Sequence, residues 1–122
     1  MSLKKILAVD DSISIRKSIS FILSQEGYEV GEAEDGAAGL KAAVCDKYGL
    51  IISDVNMPNM DGITFTKELR KTSEYKFTPI IILTTENQSS KMQEGKAAGA
   101  TGWIVKPFTS EKLLAVVKKI IG

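Results

Sequence analysis

The stretch from Leu50 to Gly62, L-I-I-S-D-V-N-M-P-N-M-D-G, constrains the fold most, because an apolar run without polar alternation stops abruptly at the carboxylate of Asp54. Such a run suits a strand covered on both faces, as in a parallel sheet between helices. Its polar end then faces the loops where ligands of open α/β sheets collect. Asn56, Met57, Pro58 and Asn59 read as a turn, and Asp61-Gly62 releases the chain into a helix near Ile63. Taken alone, an aspartate after a strand is as readily a turn former or a helix cap. The first strand candidate, Lys5 to Val9, also ends in acid, at Asp10 and Asp11.

The remaining elements alternate in type. Ser12 caps a helix with Ile15, Ile19, Ile22 and Leu23 inward and Arg16, Lys17, Ser20 and Ser24 outward, ending near Gly27. Tyr28 to Ala33 alternates like an edge strand. Asp35-Gly36 turns the chain into a second helix with Ala37, Leu40 and Val44 on its inward face, and Cys45 reads as a packing residue on it. A third helix, from about Ile63 to Lys71, presents Phe65 and Leu69. Pro79 to Leu83 is the strongest strand, β-branched and central. The helix from about Gln88 to Ala98 has the weakest pattern, with Gly95 inside it and Met92 its one large apolar residue, and is expected to be exposed and mobile. Trp103 to Val105 forms a short strand ending at Lys106-Pro107, and Thr109 caps a last helix with Leu113, Val116, Val117 and Ile120 inward. Five strands alternating with five helices predict a doubly wound, flavodoxin-like α/β fold with a parallel sheet in the order 2-1-3-4-5. That order makes the first and third strands neighbours and brings Asp10, Asp11 and Asp54 together.

Composition narrows the function. The 122 residues, 43% of them hydrophobic, are expected to form one domain over 1–122. A net charge of +1 with interspersed signs offers no basic stripe for direct nucleic-acid contact. One cysteine, no signal-peptide pattern and no bilayer-length apolar run point to a soluble, cytoplasmic protein without membrane insertion.

Two carboxylates about 4 Å apart repel by about 4 kcal/mol at an effective dielectric of 20, so the acidic cluster calls for a cation. Oxygen-only ligation favours magnesium. Thr84 follows the fourth strand and Lys106 the fifth. A carboxylate nucleophile, a magnesium ion, a hydroxyl and an ammonium are the parts that phosphoryl transfer to Asp54 would use.

These residues, Asp10-Asp11, Asp54 within S-D-V-N-M-P-N-M-D-G, Thr84, and Lys106 within V-K-P-F-T, resemble the receiver domains of two-component response regulators along nearly the whole chain, in particular those of chemotaxis. The resemblance implies that Asp54 is the phosphoacceptor and that Asp11 and the Asn56 backbone carbonyl join it on magnesium, with Asp10 acting through water or directly. Lys106 would hold a phosphoryl oxygen, the Lys106-Pro107 bond would be cis, and Thr84 and Trp103 would occupy switch positions. A sensor histidine kinase of the chemotaxis type would be the donor. A flagellar motor switch or another output protein would be the target of the monomer, and Met92 and Trp103 would form part of the partner surface. Val55 stands where chemotaxis receivers carry tryptophan, Thr85 where they carry alanine and Trp103 where they carry tyrosine. Thr85 is expected to crowd the phosphoryl group.

Two other classes share some of these parts. Haloacid dehalogenase-type phosphatases need a second aspartate two residues after the nucleophile, and Asn56 cannot serve as that acid or base. Turnover of outside substrates is therefore not expected beyond the chain's own phosphorylation and dephosphorylation. A flavin-binding module would need an anion-accepting loop after the first strand, where Asp10 and Asp11 repel anions. A receiver excised from a larger regulator is the third reading.

Overall fold

Period-two alternation of apolar side chains builds the sheet of this protein, whose computed structural model describes residues 4–85 and 89–121. The strands are β1 (Lys5–Val9), β2 (Glu29–Ala33), β3 (Leu50–Asp54), β4 (Ile80–Thr85) and β5 (Gly102–Lys106), and the helices are α1 (Ile13–Gln25), α2 (Gly36–Cys45), α3 (Gly62–Arg70), α4 (Ser89–Ala98) and α5 (Ser110–Ile121). All strand pairs are parallel and the order is β2-β1-β3-β4-β5, as the alternation of elements predicts. Ile6 and Ala8 of β1, Leu50 and Ile52 of β3, Ile81 and Leu83 of β4 and Ile104 of β5 share a core with Ile19 and Leu23 of α1 and Leu113 and Val117 of α5. The intervening residues Leu7, Val9, Ile51 and Ile80 point to the other face, against Ala43 of α2 and Phe65 and Leu69 of α3. A smaller core of Val55, Ile63 and Ile82 lies under Ala98 of α4 and Ala100 beyond it.

Helix starts follow the expected chemistry. Ser12, Asp35 and Asp61 each accept a backbone N–H from three residues on, at Ile15, Ala38 and Thr64. Thr109 Oγ1 accepts the Lys112 amide at 3.1 Å. Gly27, at φ 91°, takes the left-handed conformation that ends α1.

Four readings need correction. Val44 is 80% exposed and Cys45 is exposed too rather than packed, whereas Gly36, Gly39 and Ala43 form the buried side of α2. The cause is close approach: a Cβ on Gly39 would lie 2.9 Å from the Phe65 ring, so α2 seats itself on α3 through its smallest residues. Arg16 is not on the solvent face, its side chain being 14% exposed and bonded to Glu32. Gly95 is buried against Ile82, where a Cβ would stand 3.2 Å from Cδ1, so this glycine lets α4 approach β4. The reading that α4 begins at Gln88 falls outside the described residues.

At the end of the sheet opposite the acidic residues, one side chain gathers three carbonyls. The Arg70 guanidinium donates to the carbonyls of Tyr75 and Thr78, both at 2.6 Å, and to that of Gly99 at 3.0 and 2.8 Å.

The revised packing has a measurable consequence. In urea unfolding, Phe65→Ala is expected to cost about 3 to 5 kcal/mol, whereas Val44→Lys stays within about 0.5 kcal/mol of wild type.

Candidate functional site

Register delivers the acids. Val9 of β1 pairs with Ser53 of β3, so Asp10 and Asp54 leave adjacent strand ends side by side. One carboxylate oxygen from each of Asp10, Asp11 and Asp54 lies within 4.8 Å of the others. Asp10 is fully buried and Asp54 only 9% exposed, while Asp11 faces solvent. From the end of β5, Lys106 Nζ reaches to 3.1 Å from Asp54 Oδ1 and 3.3 Å from Asp10 Oδ2. Backbone amides hold both carboxylates in place: Val55 N–H donates to Asp54 Oδ1 at 2.9 Å and Ser12 N–H to Asp10 Oδ1 at 2.9 Å.

Burial pushes the Asp54 carboxyl above the usual carboxylate range, the negative Asp10 adds to the effect, and Lys106 offsets only part of it. Three carboxylates facing one ammonium leave the cluster formally anionic. The donors are all oxygen, a set that fits a hard divalent cation better than a softer metal.

Thr84 completes the edge between them. Asp54 pairs with Leu83 and Thr85 with Lys106, which puts Thr84 at the level of both groups. Thr84 is fully buried and its Oγ1 has no hydrogen-bond partner among the described residues. An unsatisfied buried hydroxyl costs roughly 1 to 3 kcal/mol, which an incoming acceptor oxygen would relieve. The Lys106-Pro107 bond is cis.

The other sequence-selected residues make no ion pair with the cluster among the described residues. Asn56 is exposed on the loop between β3 and α3, and Thr85 is exposed at the end of β4. Trp103 of β5, 43% exposed, pairs with Ile82 of β4, and Met92 is half-buried on α4.

Two supports escape a reading of the residues alone. Arg16 Nη1 donates to the Asp10 carbonyl at 2.7 Å while its Nε bonds Glu32 Oε1 at 3.1 Å. Glu32 is held below the ordinary carboxylate value: burial raises it, but its bonds to Lys17 and Arg16 more than offset that. The available signal is a basic residue one helical turn past Asp10-Asp11 and an acid on the neighbouring edge strand. Asp35 and Asn59 also meet, Asn59 Nδ2 donating to Asp35 Oδ2 at 2.7 Å. No local pattern announces a contact between two loops so far apart in sequence.

The raised pKa of Asp54 has a definite sign. Ionised Asp54 opposes folding at pH values above its folded pKa, and protonation removes that penalty as pH falls. Asp54→Asn is therefore expected to raise the Tm of metal-free protein at neutral pH, with a gain that shrinks toward acid in thermal melts in EDTA. A lower Tm at neutral pH would mean that the Lys106 pair outweighs burial.

With this geometry in hand, the chain matches known proteins along nearly its full length. Residues 6–118 match the response regulator receiver domain family. The chain is similar to a probable chemotaxis protein CheY of Rhizobium etli, 37% identical over 119 residues that cover 97% of this chain and 92% of that protein. It is equally similar, at 37% over 117 residues, to the transcriptional regulatory protein SrrA of Staphylococcus aureus, of which it spans 47%. Among solved structures, the chemotaxis response regulator CheY4 of Vibrio cholerae superposes with a TM-score of 0.93 at 53% identity, covering 98% of this chain and all of that one. Strand order, strand-end acids and sequence agree, and the chain belongs to the response regulator receiver domain family of two-component signalling.

Proposed function

We propose that residues 1–122 act as one receiver domain, which takes a phosphoryl group onto Asp54 from a kinase phosphohistidine and then changes its affinity for an output protein. The observation that carries this reading is the strand-end carboxylate of Asp54 with Lys106 Nζ at 3.1 Å, together with the buried hydroxyl of Thr84, which has no hydrogen-bond partner among the described residues. Residues 1–122 contain no histidine, so the phosphohistidine lies outside them.

A carboxylate oxygen of Asp54 attacks phosphorus as the P–N bond to the donor imidazole breaks and the imidazole departs with that electron pair. The product is an acyl phosphate. Lys106 donates to one phosphoryl oxygen and Thr84 Oγ1 to another, spreading charge that builds during transfer. Asp10, Asp11, Asp54 and the Asn56 carbonyl would hold magnesium, which when bound offsets the charge of the carboxylates and of the phosphoryl group. Hydrolysis returns Asp54 to a carboxylate and releases inorganic phosphate. Asn56, two residues after Asp54, supplies no acid or base, which argues against turnover of outside substrates.

Likeness to the Rhizobium etli and Vibrio cholerae chemotaxis proteins supports a chemotaxis-type sensor kinase as donor and a flagellar motor switch or other output protein as target. The domain is proposed to work as a monomer in the cytoplasm, and no helix of the described residues is long and apolar enough to cross a membrane. For output, Thr84 moves toward the phosphoryl oxygens and Trp103 rotates into the space it leaves, altering a surface shared with Met92. Shifting such a switch from 1:99 to 99:1 takes about 5.5 kcal/mol. Two or three charge-assisted bonds at about 1.5 to 3 kcal/mol each supply it.

Acetyl phosphate with magnesium is expected to add one phosphoryl mass to the purified chain. EDTA or Asp54→Asn abolishes that addition, and Lys106→Met slows it by about a hundredfold. Labelling of Asp54→Asn would move the acceptor elsewhere. Trp103, the single tryptophan, reports the switch: beryllofluoride with magnesium changes its emission in wild type but not in Asp54→Asn or Thr84→Ala. Constant emission alongside a rise in partner affinity would assign the switch to another element.

A further inference from the structure

The loop between β3 and α3, residues 55–61, carries Asn56 and has few anchors of its own. Its ends are closed by Gly62 N–H donating to the Val55 carbonyl at 2.9 Å, and its turn by Met60 N–H donating to the Pro58 carbonyl at 2.7 Å. Val55 and Asp61 fasten its two ends, through the core and through the cap of α3, and two further ties reach its middle from the β2–α2 turn. Asn59 Nδ2 donates to Asp35 Oδ2 at 2.7 Å, and Gly36 N–H donates to the Met60 carbonyl at 3.1 Å. Contact is so close there that a Cβ on Gly36 would stand 2.7 Å from that carbonyl oxygen.

Asp35 divides its two oxygens between two tasks. Oδ1 caps α2 through the Ala38 amide at 2.8 Å, and Oδ2 takes Asn59. Capping alone would leave Oδ2 for water, yet Asp35 is only 5% exposed and its second oxygen is spent across the gap. Asn59 pays for its part by adopting φ 66°, the left-handed conformation that asparagine tolerates better than most residues. The strand that leads into this turn also pairs with the acidic side of the site, because the Asp10 amide donates to the carbonyl of Ala33, the last residue of β2, at 3.1 Å. The end of β2 and the turn after it thus touch both the strand end that carries Asp10 and the loop that carries Asn56.

We infer that Asp35 is a positioning residue, which through Asn59 fixes the β3–α3 loop and with it the place from which the Asn56 carbonyl would reach a magnesium ion. The inference rests on the reading of Asn56 as a magnesium ligand. Neither Asp35 nor Asn59 touches the phosphoryl group. Their effect is to remove loop freedom that cation binding would otherwise have to restrict.

Reciprocal exchange tests it. Asp35→Asn keeps a capping oxygen but sets one amide NH2 against that of Asn59. Asn59→Asp sets two carboxylates against each other. The double variant Asp35→Asn with Asn59→Asp restores a donor facing an acceptor, with the direction reversed. In calorimetric titration with magnesium alone, each single variant is expected to bind about tenfold more weakly, equivalent to about 1.4 kcal/mol, and the double variant to recover most of that loss. Amide hydrogen exchange across 55–61 should quicken in the single variants and slow again in the double one. Asn59→Gly, which keeps the cap and relieves the left-handed backbone, weakens magnesium binding similarly if the side-chain bond is what matters. Asp11→Asn serves as the reference for the cation site itself. Wild-type binding lost in Asp11→Asn but unchanged in Asp35→Asn and Asn59→Gly would overturn the positioning role and leave the cation site standing. Lack of magnesium binding by wild type would overturn the cation site, and this inference with it.

Discussion

Like charges held together at the end of a sheet are the constraint on which the rest of this structure turns. Asp10, Asp11 and Asp54 repel one another, and Lys106 answers only part of that repulsion. The strands behind them hold the arrangement. Ile6, Leu7, Ala8 and Val9 of β1 and Leu50, Ile51 and Ile52 of β3 are all fully buried. Each large aliphatic side chain so buried contributes about 1.5 to 3 kcal/mol, so a few of them outweigh the roughly 4 kcal/mol between two close carboxylates at an effective dielectric of 20. Hydrophobic burial in the middle of the sheet therefore permits an electrostatically unfavourable edge.

Two aspartates near this edge are driven in opposite directions by their surroundings. Asp35 is held below the ordinary carboxylate range, first by the Ala38 amide and then by Asn59, both of which donate to its charged form. Asp54 is pushed upward by burial and by Asp10. The first is a settled structural anion. The second is an anion short of partners, in surroundings that a cation would complete.

How much of this was legible in the chain depends on the range of the signal. The strands were legible because Leu50 to Asp54 and Ile80 to Leu83 are short apolar runs with polar stops, and the site followed because the alternation of elements dictates which strand ends meet. Helix α2 was misread, since Ala37, Leu40 and Val44 have helical spacing while the side that packs on Phe65 is made of glycine and alanine, which carry little hydrophobic signal. Arg16 looked like a solvent-facing charge because its partners, the Asp10 carbonyl and Glu32, belong to a strand end and an edge strand. The bond between Asp35 and Asn59 was invisible for the same reason, as it depends on the conformations of two separate loops.

At the far edge of the sheet, Arg70 gathers the carbonyls of Tyr75, Thr78 and Gly99 without an acidic partner in the contact. Peptide carbonyls do not titrate, and a guanidinium keeps its proton throughout the range in which proteins stay folded. The knot that joins α3 to the end of α4 is therefore indifferent to pH and to counterions that would trouble a pair of opposite charges. One rim of the molecule gathers carboxylates and an ammonium that answer to protons and ions; the other is ballast, held by acceptors that carry no charge and insulated from that traffic.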